Sequence, residues 1–408
     1  FKRIFLRYVK IDILMQIFTN KFLRYYLFFI FITSSYFLYN KFLYPTDWTT
    51  SEWLINYQGG FVRRGLTGEF FFQLNKFLDL NLRFIVFYFN ILMLAAFYYI
   101  FYNFIKTIKF NELLIFLVYS PFFLLYPSAE TEVIARKEFL LFSFFIFYIN
   151  LLVKNSSKIY IFLALGLPIM NLIWDGVLFY IFFFFIAFVF KKNLIKKDFF
   201  YFIVSLIPYF ISLIFVILSG SNPEGYELMC KSIGESCWGA LLVINIDMPL
   251  NFILNYVYDN AKIDYVIRYF LLFCLAFIPF LLIFYFENKR FKYFQYKKSL
   301  FLLKLLALIP IIIFHIIAND WGRWINIGYF FSFILLIYFI KIRLVDLDNN
   351  VIALKLKTFA KINPKIFYLL FFIYTFSWNM KATMADDIGS FPYYRITIKF
   401  IEYLFSLN

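Results

Sequence analysis

The chain has 408 residues, of which 63% are apolar, 26% aromatic and only 16% charged. A soluble globular domain carries roughly 25% charged residues, and apolar stretches of about 20 residues suffice to cross a hydrocarbon core of about 30 Å, so the composition excludes a soluble domain and points to a polytopic membrane protein. The 40 Lys and Arg against 24 Asp and Glu leave a formal charge of +16, which in a membrane protein must be sorted by side before it says anything about nucleic acid.

The basic start (Lys2, Arg3, Arg7, Lys10, Lys21, Arg24) is amphipathic and lacks a small-residue cleavage site. It reads as a cytoplasmic surface helix over 1–21 rather than a signal peptide. Apolar segments follow, centred near Ile32, Leu94, Phe122, Ile146, Leu167, Phe184, Phe210, Ala276, Ile311, Phe333 and Phe372. They predict an all-α fold, a polytopic bundle of about eleven transmembrane helices in one membrane domain, 1–408, since no linker, charge block or repeat marks a second domain. With the N-terminus inside, the odd count sends the C-terminus out. Basic residues then gather in the inner segments (1–24, 106–112, 154–158, 191–198, 287–298, 341–365) and acidic residues in the outer ones, as the positive-inside rule requires. Most of the net charge is accounted for by orientation in an anionic bilayer. The outer side also carries the two large connections, 44–82 and 220–265, and the stretch from Trp378 onward, so function is expected to face outward.

Cys230 and Cys237 lie in the second large connection, where an oxidising compartment would let them close a short disulfide loop; the alternative is two free thiols. Cys274 is mid-span and reads as packing. Three Cys and one His leave no thiol or histidine cluster for a metal, which would have to be held by carboxylates.

Three outer segments carry the chemistry. The first is Tyr57-Gln58-Gly59-Gly60-Phe61-Val62-Arg63-Arg64-Gly65-Leu66-Thr67-Gly68-Glu69. Adjacent arginines among glycines suit an anion clamp, because Gly60 and Gly65 let backbone approach a ligand and guanidinium forks match phosphate; the other reading is a pair of arginines snorkelling to lipid headgroups. The second is the turn Glu130-Thr131-Glu132-Val133-Ile134-Ala135-Arg136-Lys137-Glu138, a further cationic point or a self-paired solvated turn. The third is the short hairpin His315-Ile316-Ile317-Ala318-Asn319-Asp320-Trp321-Gly322-Arg323-Trp324. Desolvated ionisable groups at membrane depth must pair or work. Asp320 and Arg323 either staple the hairpin or act on a ligand, and Trp321 and Trp324 are either belt residues or a platform for a sugar ring. Asp175, Asp386 and Asp387 are weaker carboxylate signals, and Asp47 and Glu52 are further carboxylates in the first outer connection. No phosphate-binding loop, nucleophile elbow or zinc-protease motif is present.

In the Arg63-Arg64-Gly65 run, the Arg136-Lys137-Glu138 turn and the Asp320-Trp321-Gly322-Arg323-Trp324 hairpin, and in length, span number and late outer connection, the chain resembles the Wzy-type polymerases of bacterial O-antigen and capsule clusters. The resemblance implies a GT-C-like glycosyltransferase of the bacterial inner membrane that needs neither nucleotide sugar nor metal or other cofactor. It implies transfer of a growing glycan from undecaprenyl pyrophosphate to a sugar hydroxyl of a repeat unit on a second carrier, with a chain-length regulator as a possible partner. Arg63, Arg64, Arg136 and Arg323, with Lys137 beside them, would stabilise the pyrophosphate, and Asp320 or His315 would be the base, with Glu132 and Glu138 behind. Two alternatives stay open. One is a monomer-adding enzyme using a polyprenyl-phosphate sugar with Asp47 or Glu52; the other is a flippase for lipid-linked oligosaccharide.

Overall fold

The computed structural model describes residues 2–44, 48–191, 194–233, 239–245, 250–285, 299–384, 401–402 and 405–406. Helices are α1 (Lys2–Leu43), α2 (Leu66–Leu78), α3 (Leu82–Ile105), α4 (Glu112–Val118), α5 (Tyr126–Ala129), α6 (Glu138–Val153), α7 (Ile159–Ile173), α8 (Ile181–Val189), α9 (Lys196–Leu218), α10 (Pro223–Ile233), α11 (Leu242–Asn245), α12 (Leu250–Asn260), α13 (Ile263–Tyr285), α14 (Ser299–Ile317), α15 (Trp321–Lys341), α16 (Val351–Ile362) and α17 (Pro364–Phe376). No strand occurs among the described residues.

Five described helical stretches of 21 to 24 residues (Lys21–Leu43, α3, α9, α13, α15) are long and apolar enough to cross a membrane, and five shorter apolar ones accompany them. The described residues are thus those of an all-helical fold suited to a membrane. The outward surfaces agree: Ile203, Ile207, Ile211, Ile214 and Phe215 of α9 are at least half exposed. Soluble monomers do not leave so much apolar surface in water. Residues 2–21, expected as a separate surface helix, run without a break into the first span as part of α1.

The span expected near Phe122 is not a continuous helix. Helix α4 stops at Val118, Ser120 and Pro121 interrupt it, and only the single turn of α5 follows. Backbone outside a helix is tolerated at membrane depth only where protein encloses it and completes its hydrogen bonds. Both conditions are met, since residues 117–130 are buried throughout. Asn326 Nδ2 donates to the carbonyls of Phe122 at 2.7 Å and Phe123 at 3.0 Å, and the Tyr329 hydroxyl donates to the Leu117 carbonyl at 3.0 Å.

Both donors belong to α15, the axial helix. A helix apolar all round must be enclosed all round, and Trp321 to Phe339 are buried without exception. Aromatic rings do much of the enclosing: Phe142 stacks on Phe330 at 3.9 Å between centroids, and Tyr180 on Phe331 at 5.0 Å. With lipid as the outside medium, such close packing rather than hydrophobic expulsion holds helices together.

One end of the bundle is basic, with Lys191 paired to Asp198 at 3.1 Å and the Lys341 ammonium 4.2 Å from the Phe104 ring centroid. The other end collects the starts of α6 and α15, the end of α7 and the candidate site. Replacing Asn326 by Leu strands two buried carbonyls, each worth about 1–3 kcal/mol when left unpaired. Asn326→Leu is therefore expected to lower the melting temperature of detergent-solubilised protein clearly, whereas an unchanged melting curve would mean the broken segment is held by something else.

Candidate functional site

Segments far apart in the chain meet at this end. Arg64 lies in the left-handed region at φ +64, a conformation that a residue with a side chain seldom holds without support. Lys137 Nζ donates to its carbonyl at 2.7 Å, while its guanidinium donates from Nε to Asp175 Oδ1 at 2.7 Å and reaches Glu52 Oε1 at 3.4 Å. Ala135 is also left-handed, at φ +49, and its carbonyl accepts from Trp53 Nε1 at 3.0 Å. Each strained residue thus ties the first connection to the turn before α6 through its own carbonyl.

The hairpin supplies the second half. Arg323, in the first turn of α15, donates from Nε to Glu138 Oε1 at 2.7 Å, from Nη2 to the same oxygen, and from Nη1 to Asp320 Oδ2 at 2.8 Å. Glu138 opens α6, where the helix dipole also favours a carboxylate. Arg136 Nη1 stands 3.9 Å from Asp320 Oδ2, and its Nε donates to the Glu132 carbonyl at 2.7 Å. Charges therefore alternate along two short chains, Arg63–Asp175–Arg64–Glu52 and Arg136–Asp320–Arg323–Glu138.

Exposure divides the cluster. The side chains of Glu52, Glu138 and Arg323 are 2%, 5% and 6% exposed, while that of Arg63, 3.9 Å from Asp175 Oδ2, is 36% exposed. Burial opposes ionisation of Glu52, but the guanidiniums of Arg323, Arg136 and Arg64 outweigh it and hold its carboxyl below the usual range. Burial likewise opposes the charge of Arg64, and Asp175 and Glu52 more than offset it, so its pKa moves up. At two cations burial wins: it lowers Arg63, with Arg64 adding to the effect against Asp175, and it drives the Lys137 ammonium down to about 8, against a partial pull from Glu52.

The structure brings Arg63, Arg64, Arg136, Lys137, Arg323, Asp320, Glu138 and the more exposed Glu132 to this one region. Several sequence expectations are corrected in detail. The room beside Gly65 is taken by the Tyr57 ring, 2.2 Å from where a Cβ would stand, so the close approach there is of protein to protein rather than to ligand. Gly60 serves backbone conformation, at φ +107. Gly322 lets the segment 381–384 pack on the hairpin: a Cβ would lie 1.9 Å from the Lys381 carbonyl, and Gly322 N–H donates to the Ala382 carbonyl at 3.0 Å. Trp324 is no open platform, because Phe314 stacks on its face at 4.3 Å between centroids, and Trp321 is buried against Tyr269. His315 turns toward an apolar cavity, and no described hydrogen bond or ion pair joins it to the charge cluster. Cys230 is disulfide-bonded and Cys274 is free. Cys237, Asp47, Asp386 and Asp387 lie outside the described residues.

Sequence reading undervalued Asp175 and Glu52, which hold both arginines of the first segment, and passed over Lys41, 3.9 Å from Glu132 Oε1. A usable signal was present: each of those two carboxylates adjoins a tryptophan, Trp53 or Trp174, at the edge of an apolar segment. Comparison with protein-family models, curated proteins and solved structures finds no match.

Chemically, the arrangement offers a half-buried guanidinium, Arg63, beside a second one, with buried carboxylates behind them. Breaking a buried ion pair by removing one partner costs about 3–5 kcal/mol, whereas replacing both partners by apolar groups is often neutral. Glu138→Leu and Arg323→Met singly are expected to lower the melting temperature strongly and the double variant to recover most of it; additive losses would show that the pair contributes little. A second test uses Lys137. Between about 8 and the ordinary lysine pKa of about 10.4, the unfolded chain holds a proton that the folded chain has released, so stability rises with pH across that window. Lys137→Met should make that rise in melting temperature, measured from pH 7 to 10.5, shallower, and an unchanged slope would refute it.

Proposed function

We propose that the chain is a glycosyltransferase of the bacterial inner membrane that joins undecaprenyl-pyrophosphate-linked oligosaccharide repeat units on the outward face. The observation that supports this reading best is the convergence of the Arg63–Arg64 pair, the Arg136–Lys137–Glu138 turn and the Asp320–Arg323 hairpin, from three distant parts of the chain, at one end of the bundle.

The division of exposure assigns roles. Arg63 and Arg64 hold the pyrophosphate and stabilise the charge that develops on it as the bond between the anomeric carbon and the phosphate oxygen breaks. A sugar hydroxyl on the second carrier attacks the anomeric carbon, and its proton passes to a carboxylate. Asp320 is the base in this scheme, since its side chain is 23% exposed beside Arg136 and Arg323 while His315 faces elsewhere. Arg323, with all three nitrogens bonded to carboxylates, orients Asp320 and Glu138 rather than binding substrate. The monomer-adding alternative leans on Asp47 and on Glu52, whose carboxylate is turned inward onto Arg64. A flippase would carry charge along its spans, whereas among the described residues charge gathers toward the two ends of the bundle, with Lys304 buried in α14 between them.

The test is reconstitution of the protein with a synthetic lipid-pyrophosphate repeat unit, without nucleotide sugar and with chelator, followed by gel analysis of product length. A ladder of multimers is expected from the wild type, and at least about a 100-fold loss of turnover in Arg63→Ala with an unchanged melting temperature. An undiminished ladder from Arg63→Ala would overturn its role. Single-sugar addition from a polyprenyl-phosphate sugar plus metal, with no ladder, would move the assignment to the monomer-adding class.

A further inference from the structure

Beside the hairpin, and outside the charge cluster, a cavity of about 670 Å³ lies between α12, α13 and α14. That volume falls within the roughly 300–1,000 Å³ of small-ligand sites. Its walls are Leu254, Val257, Phe270, Phe273, Ile312 and Ile316, among others, and among the described residues no Lys, Arg, Asp or Glu lines it. Phe270 is 64% exposed and Ile316 55%, so the rim faces the side on which a bilayer would lie.

Two rings at one edge of this apolar space carry polar atoms that nothing described satisfies. His315 Nδ1 sits 2.7 Å from the Ile311 carbonyl, an acceptor, so Nδ1 carries the proton and the neutral ring presents Nε2 as a bare acceptor. Nε2 is buried and has no hydrogen-bond partner among the described residues; the Trp321 carbonyl lies near the ring, short of hydrogen-bond geometry. Trp321 is 6% exposed, and its Nε1–H, a donor, is likewise buried without a partner. The ring centroids are 5.9 Å apart. A buried polar atom left unpaired costs about 1–3 kcal/mol and calls for an explanation.

One donor and one acceptor side by side match a single chemical group, a hydroxyl, which accepts from Trp321 and donates to His315. We propose that this cavity is a binding site for an uncharged amphiphile, an alkyl or isoprenoid chain bearing a hydroxyl at its head, with the chain against α12–α14 and the hydroxyl bridging Trp321 Nε1 and His315 Nε2. Both rings already line the cavity, and because both nitrogens are covered in this structure, binding requires a small rotation of each ring to bring them onto the hydroxyl. The absence of any cation in the lining sets this ligand apart from a phosphate-headed lipid. The inference stands independently of the polymerase reading.

The test is photolabelling of the wild-type protein in nanodiscs with a diazirine-bearing hexadecanol, competed by hexadecanol, hexadecyl methyl ether and hexadecyl phosphate. Labelling is expected on peptides from α13 and α14 that include Phe270, Phe273, Ile312 or Ile316. Hexadecanol should compete at about tenfold lower concentration than the ether, the ordinary worth of hydrogen bonds to a neutral hydroxyl. His315→Phe, which keeps a ring but removes the acceptor, should erase that difference, whereas Trp321→Phe, which removes a donor that alcohol and ether share, should weaken both competitors and leave the difference. Equal competition by alcohol and ether, preference for the phosphate, or labelling elsewhere would each overturn the proposal. The alcohol-to-ether comparison decides the matter on wild-type protein alone if a variant does not fold.

Discussion

The site end of the bundle is built around the cost of burying charge. An ion taken out of water loses several kcal/mol even after relaxation, and in a low-dielectric interior only a well-placed partner repays it. Glu52, Glu138 and Arg323 are nearly inaccessible, so their partners must be in register, and those partners come from the first connection, the turn before α6, the start of the 175–180 turn and the hairpin before α15. Satisfying them dictates where four chain segments go. The left-handed residues Arg64 and Ala135 follow from this, because a turn that aims a guanidinium at Asp175 and its own carbonyl at Lys137 is not one that backbone preference would select.

The same constraint divides what the sequence discloses from what it conceals. That the chain is a helical bundle for a membrane was legible from composition and apolar length alone. So was the choice of Arg63, Arg64, Arg136 and Asp320 as candidates, since charge is rare at membrane depth and conspicuous there. What could not be read was pairing. Nothing local ties Asp175 to Arg64, which lies 111 residues away. The glycines around the arginines misled for a related reason: they looked like openings for a ligand, yet the ring of Tyr57 fills the room beside Gly65. Glycine reports a close approach without saying by what.

The interrupted segment between α4 and α5 shows how an apolar run can fail to be a span. Hydropathy sees only that the residues are greasy, and they are, being wholly enclosed. Helical continuity depends on whether the carbonyls have other donors, and Asn326 and Tyr329 on α15 provide them. The axial helix therefore does two jobs. Its first turn completes the charge cluster, and the two turns that follow stitch a broken segment into the bundle.

The distance in sequence between Glu138 and Arg323, 185 residues, bears on how the protein is made. During synthesis α6 leaves the ribosome long before α15, and its leading carboxylate does not yet have the guanidinium of Arg323. Until that partner emerges, Glu138 keeps its hydration, and the head of α6 has to stay near the water boundary instead of settling to its final depth. A chain lacking Arg323 would then be left with α6 at the wrong depth, and a membrane quality-control protease would meet it as an incompletely inserted protein rather than as an unfolded one.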